Sequence, residues 1–248
     1  MRAEDLLPRI RELGFGDADA AVLADHFIDA ERRGKRGHGV SRVEWLATQP
    51  VDPTARPERL QAEDGFERWD GRAALGYLTL AAVCDAQIAS PPEHARVVVA
   101  SNCFPTGMLG YWTRRLADAG LVAALTATSP PRLPPPGGGP PLVGTNPLSI
   151  AVPSSDGRPV VTDVSMGEAT YGDVIAGLAA ENELVPFGGD HAHKGFALAI
   201  GLQLLVDAVA GDGYGAVLVV AAPAADPVPE LRRRAEGIRL PGDGRTKP

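Results

Sequence analysis

The residues best suited to chemistry are His38 and Arg42, four positions apart in Arg36-Gly37-His38-Gly39-Val40-Ser41-Arg42. An imidazole that titrates near neutral pH can give or take a proton. A guanidinium can hold a carboxylate through two parallel hydrogen bonds. If a helix begins near Gly39, Arg42 lies about one turn from His38 and both side chains face one pocket. The flanking glycines admit close backbone approach. Such a pair suits reduction of a C=X bond beside a carboxylate, His38 supplying the proton. The plain alternative is a surface histidine and arginine at a helix start. The preceding Arg32-Arg33-Gly34-Lys35-Arg36 is a solvated turn or an attractor of anions.

Other constellations are weaker. His26 falls inside a helix and His94 in a loop, where isolated histidines are commonly structural. His191-Ala-His193 lacks a third ligand, so no metal site is expected. A Gly-x-Gly-x-x-Gly fingerprint must follow a strand and open a helix. Gly211, Gly213 and Gly215 follow a helix and precede a strand, which is a connecting turn, and Gly137 to Gly139 lie among prolines. No phosphate-binding P-loop or Gly-x-Ser-x-Gly elbow occurs. Any dinucleotide must therefore bind by a non-Rossmann route. Cys84 and Cys103 are too few for a disulfide framework.

The elements that must position these residues follow from periodicity. Helices are expected at 4–13, ended by Gly14, and at 17–33, where Asp17 precedes Ala20, Leu23, Ala24, Phe27 and Ile28 at helical spacing. A short helix is expected at 40–47, a proline-bearing linker at 50–62 and a buried helix at 75–89. Then come a strand at 97–99, an amphipathic helix at 106–118 and a strand at 121–128. A proline- and glycine-rich surface loop leads to strands at 147–152 and 158–164. A long apolar helix at 194–210, a strand at 216–222, a helix at 226–237 and a tail complete the chain. Helices intermixed with strands argue for an α/β fold.

The 248 residues are 44% hydrophobic and 22% charged, ordinary for a globular protein, with a net charge of -7. That charge argues against nucleic acid as a partner. It also means a small anionic substrate needs a local basic pocket. No run reaches the ~18 apolar residues of a membrane span, and the first residues lack a secretory core. No membrane partner and a cytoplasmic setting are expected.

Six motifs in order carry a resemblance over nearly the whole chain: His38-Gly39-Val40-Ser41-Arg42, Ala100-Ser101-Asn102-Cys103-Phe104, Gly144-Thr145-Asn146-Pro147, Thr162-Asp163-Val164-Ser165-Met166, Val185-Pro186-Phe187-Gly188-Gly189 with His193-Lys194-Gly195, and Ile238-Arg239-Leu240-Pro241-Gly242. Together they resemble the malate/L-lactate dehydrogenase family of the second, non-Rossmann type. Val164-Ser165-Met166 and Tyr171-Gly172 look closest to its diketogulonate reductase branch. The resemblance implies a non-Rossmann mixed sheet flanked by helices. An N-terminal helical segment (1–60) would carry His38 and Arg42, followed by a cofactor-binding α/β domain (61–225) and a C-terminal helix and tail (226–248). It implies NADH or NADPH as cofactor, a small 2-oxo acid or cyclic imino acid as substrate, and a homodimer with the site near the subunit interface.

Residue by residue, His38 matches the proton donor, and Asp163 a catalytic aspartate near the nicotinamide. Arg42, Cys103 and Ser129 fall on the substrate side. Thr162, Asp163, Val164, Ser165, Met166, Gly167, Gly188, Gly189, Lys194 and Arg245 fall on the cofactor side. Read without the family, Gly188-Gly189 before a buried helix is equally a cap or tight turn.

Three departures stand out. Cys103 replaces the histidine usual after Asn102, either as a small hydrophobe or as a weak donor in an altered pocket. Leu46 replaces an aromatic. The stretch between Asp163 and Val185 is short, and so is the one before Leu240. These keep open a binding protein without turnover, or a lyase or isomerase that uses His38 as a base.

Overall fold

The computed structural model of the protein describes residues 3–243. The chain opens with α1 (Ala3–Glu12) and α2 (Asp17–Arg32). The buried positions of α2 include Ala20, Leu23, Ala24, Phe27 and Ile28, so the helical stripe read from the sequence is the packed one. A 3-10 turn, Arg36–His38, leads into α3 (Ser41–Leu46). His38 therefore ends one turn and Arg42 lies in the first turn of the next helix.

Strand β1 (Glu58–Glu63) corrects part of the expected 50–62 linker. It is an edge strand with almost every residue exposed, so it lacks the apolar alternation that announces strands. Strand β2 (Phe66–Asp70) follows, then α4 (Gly76–Ala89) and β3 (Ala95–Ser101). Helix α5 begins only at Leu109 and runs to Asp118. The preceding Phe104 to Met108 is a loop facing the site, which corrects the helical expectation for Thr106 to Met108. Strands β4 (Val122–Ala127), β5 (Leu148–Val152) and β6 (Val160–Val164) come next. Then come the five-residue α6 (Tyr171–Ile175), α7 (Ala192–Ala210), β7 (Ala216–Ala221) and α8 (Val228–Arg234).

The seven strands form one sheet ordered β1-β2-β3-β7-β4-β5-β6. Only β2 and β3 pair in parallel; every other neighbouring pair is antiparallel. The late strand β7 is wedged between β3 and β4, with Leu218 opposite both Val98 and Leu125. A sheet of this kind has no run of parallel βαβ units, which is the physical sense of non-Rossmann.

Val98, Ala100, Ala123, Leu125, Leu218 and Val220 point from the sheet into a core shared with Leu80, Leu109, Trp112 and Leu116. Leu23, Phe27 and Leu46 from the N-terminal helices belong to that same core. Each fully buried side chain of this size contributes roughly 1.5–3 kcal/mol. His26 sits inside it, and burial pushes its pKa down to about 3.

On the opposite face lies α7, and here the expectation of a buried helix is corrected. Only Gly195, Ala199 and Val206 are buried. Asn146, from one of the six motifs that carry the resemblance, clips this helix to the sheet. Its Nδ2 donates to the Ala199 carbonyl at 3.0 Å and to Gln203 Oε1 at 3.0 Å. The outer face shows Leu198, Leu204 and Leu205, 50%, 62% and 48% exposed. By length and composition α7 could cross a membrane; here its inner face packs on the sheet.

Candidate active site

His38, Arg42, Ser129, Asp163, Val164, Ser165 and Gly167 line one cleft of about 610 Å³. Its walls come from the 3-10 turn and α3, the loop before α5, the end of β4, the end of β6 and the start of α6. The cleft therefore joins the N-terminal helices to the sheet.

Close backbone approach assembles the His38 end. A Cβ on Gly37 would collide with Gly172 and Asp173, and one on Gly172 would meet the Gly37 carbonyl and Arg42 Nη2. These two glycines let α6 press against the turn that carries His38. Arg42 is buried and its Nε donates to the Gly37 carbonyl at 3.0 Å, while its guanidinium lies 5.0 Å from the Trp45 ring centroid. Its two Nη groups make no hydrogen bond or ion pair among the described residues, and they remain for a ligand.

His38 keeps its pKa well below 6.5. Burial is the main cause; the charges of Arg42 and Lys35 and the neighbouring His26 add to it. Its Nδ1 is buried without a partner. The free site therefore holds a neutral imidazole at neutral pH.

Asp163 accepts a hydrogen bond from the Gly110 amide at 2.9 Å, at the start of α5, where helix dipole and free N–H groups favour an anion. Burial raises its pKa against that bond and the charges of Lys35 and Arg114. It makes no hydrogen bond to His38 among the described residues.

Lys35 comes from the basic run read as a solvated turn or an attractor of anions, and it reaches the cleft; Arg132, Tyr77 and much of the loop before α5 escaped the sequence reading. Lys35 and Arg132 line the cleft with Arg42, and none of the three has an ion pair among the described residues. This supplies the local basic pocket that an acidic chain needs for an anionic ligand. Tyr77, fully buried, also lines the cleft, and its hydroxyl has no partner. The loop of Phe104 to Met108 forms a further wall. It is held from behind: the Met108 amide donates to His26 Nε2 at 3.1 Å, and Trp112 Nε1 donates to the Thr106 carbonyl at 2.9 Å. No sequence pattern announces Arg132 or Tyr77, because the first reaches the cleft from a loop and the second from the core helix α4.

Other expected residues lie elsewhere. Cys103 is fully buried behind the cleft, its Sγ 3.9 Å from the Gly76 carbonyl, and burial pushes its thiol up to about 12. It packs as a small hydrophobe and does not line an altered pocket. Thr162 spends its hydroxyl on the Ile150 amide and carbonyl across the β5–β6 ladder. Met166 is buried in the small core beside α7. Gly188 and Gly189 form a left-handed turn before α7, with the Gly188 amide bonded to Glu168 Oε1 at 3.0 Å. Gly189 borders a smaller hollow of about 270 Å³, and Lys194 lines neither space. Arg245 lies outside the described residues.

The cleft fits the nicotinamide end of a dinucleotide. It offers an apolar wall from Phe104, Met108, Leu109 and Phe187 and hydroxyls from Thr106 and Ser165. A buried phenol there awaits a partner.

A largely antiparallel, non-Rossmann sheet whose cleft gathers His38, Arg42 and Asp163 defines a class of dehydrogenase. Residues 6–183 match the family described as malate/L-lactate dehydrogenase, and the chain belongs to that family of NAD(P)-dependent oxidoreductases. Among curated proteins it is 31% identical over 231 residues to a Delta(1)-pyrroline-2-carboxylate/Delta(1)-piperideine-2-carboxylate reductase of Pseudomonas putida, covering 81% of this chain and 67% of that one. It is 29% identical to a (2R)-3-sulfolactate dehydrogenase (NADP(+)) of Chromohalobacter salexigens, covering 79% of this chain and 67% of that one. Among solved structures, the delta1-piperideine-2-carboxylate reductase of Pseudomonas syringae superposes with a TM-score of 0.80 at 25% identity, covering 98% of this chain and 91% of that one. The chain thus spans about two thirds of the length of these curated relatives.

Proposed function

We propose that this protein uses NADH or NADPH to reduce a small 2-oxo acid or a cyclic imino acid. The observation that carries the reading is the single cleft shared by His38, Arg42 and Asp163. The dinucleotide supplies the hydride. Arg42 holds the substrate carboxylate through its free Nη groups, which aims the C=O or C=N carbon into the cleft. Pairing with that carboxylate offsets the Arg42 charge, which adds to burial in depressing His38, and so lowers the cost of protonating the imidazole in the bound state. His38 then passes the proton to the substrate oxygen or nitrogen. Asp163, fixed by Gly110, would hold its carboxyl on the cofactor side of the cleft, where its ionised form would favour a cationic, oxidised nicotinamide.

A panel of 2-oxo acids and cyclic imines, assayed with each cofactor, tests this. Cofactor-dependent turnover of at least one compound is expected. Cofactor binding with no turnover of any would instead favour a binding protein, the reading motivated by Cys103 in place of the family histidine. Turnover without added cofactor, in protein shown to carry none, would favour a lyase or isomerase.

We also infer a cytoplasmic homodimer. Supporting the dimer, Leu198, Leu204 and Leu205 of α7 share the open sheet face with Val97, Val219 and Ile150, all more than a third exposed. Exposed aliphatic side chains grouped in this way suit an isologous contact with a second copy, which needs one patch to match itself. Leu204→Asp is expected to shift the native mass toward monomer in light scattering. A wild-type protein that is monomeric at micromolar concentration would refute the assembly.

A further inference from the structure

We propose that Arg132, stacked on Tyr171, is a second anion-binding subsite in the cleft, so that the substrate it favours is a compact dianion with a second carboxylate or comparable oxyanion. This rests on the reductase reading of the same cleft.

The subsite is built from both sides. Pro130 and Pro131 fix the backbone torsions that lead into Arg132. The Arg132 amide donates to the Val143 carbonyl at 2.9 Å, and the next residue, Leu133, is fully buried. The side chain is held as well, its guanidinium carbon 3.4 Å from the Tyr171 ring centroid. Stacking uses the face of the guanidinium and leaves its in-plane N–H donors unspent. Arg132 has no side-chain hydrogen bond or ion pair among the described residues. Three acids line the cleft and none pairs with Arg132: Asp173 caps α6, accepting from the Thr170 amide at 2.9 Å and hydroxyl at 2.8 Å, Glu168 accepts from the Gly188 amide at 3.0 Å, and Asp163 accepts from the Gly110 amide at 2.9 Å.

Position links this cation to the first one. Tyr171 carries Arg132, and the adjacent Gly172 abuts Arg42 Nη2. The first two residues of α6 therefore hold two guanidinium groups over one cleft, each with free donors. A ligand with one carboxylate on Arg42 meets a second cation in the same space. A monoanion leaves Arg132 unpaired in a partly desolvated setting, and a dianion satisfies it.

The test compares two four-carbon 2-oxo acids, oxaloacetate and 2-oxobutanoate, with wild type, Arg132→Gln and Arg132→Lys. Wild type is expected to favour oxaloacetate in kcat/KM. Arg132→Gln should raise the oxaloacetate KM about tenfold or more and leave the 2-oxobutanoate and cofactor KM values within about twofold. Arg132→Lys should recover part of the loss, since charge returns without the planar fork. Equal effects on both acids, or a shift carried by the cofactor KM, would overturn the subsite. Calorimetry with succinate and butyrate, which do not react, reads the site without turnover. Selective loss of succinate binding in Arg132→Gln supports it even if the reductase reading fails. Turnover with no dependence on residue 132 sinks the subsite and leaves the reductase standing.

Discussion

His38→Ala should lower turnover by on the order of a hundredfold or more, with cofactor affinity little changed, because a general acid contributes that much and His38 is proposed to meet the substrate. The pH profile gives a sharper readout. Burial and the charges of Arg42 and Lys35 hold the imidazole neutral well below its ordinary range. In reduction the reactive form is the imidazolium, so kcat/KM should keep rising as pH falls through 6.5. In oxidation the neutral ring is the base, so kcat/KM should stay flat across neutral pH and decline only in acid. An unperturbed histidine would level off in reduction once the pH drops below 6.5. Such a plateau would show that the free cleft does not depress this group, and wild-type turnover in His38→Ala would remove it from the reaction.

Arg42→Lys should raise substrate KM by about tenfold or more with a smaller change in kcat. A lysine cannot keep the Gly37 carbonyl bond and still present two parallel donors. Arg42→Gln should do more. It removes the carboxylate anchor and also one of the charges that depress His38, so the acid limb of the reduction profile should move to higher pH. Steady-state kinetics across pH separates the two effects. An unchanged KM in Arg42→Lys would take Arg42 away from the carboxylate, and an unmoved limb in Arg42→Gln would break its coupling to His38.

Local signals carried much of this protein. The stripe of Leu23, Phe27 and Ile28 marked α2, and the glycines beside His38 pointed to close packing there. His38 and Arg42 were legible because their types and spacing sit within seven consecutive residues. The edge strand β1 was not, since both its faces meet water and its residues carry no alternation. Thr106 to Met108 were expected to be helical and belong to a loop instead, and its hold on the cleft comes from His26, far back in the chain.

Cys103 and Arg132 show where local reading stops. Whether a thiol after Asn102 lines a pocket depends on which way that backbone turns, and it turns toward Gly76. Arg132 looks like one more loop cation until Tyr171 is placed under it. The linear order of residues was enough for fold class, family and the histidine–arginine pair, because those rest on periodicity and short-range motifs. The second arginine, the exposed face of α7 and the burial of Cys103 emerged only from folding, because each depends on contacts between segments distant along the chain.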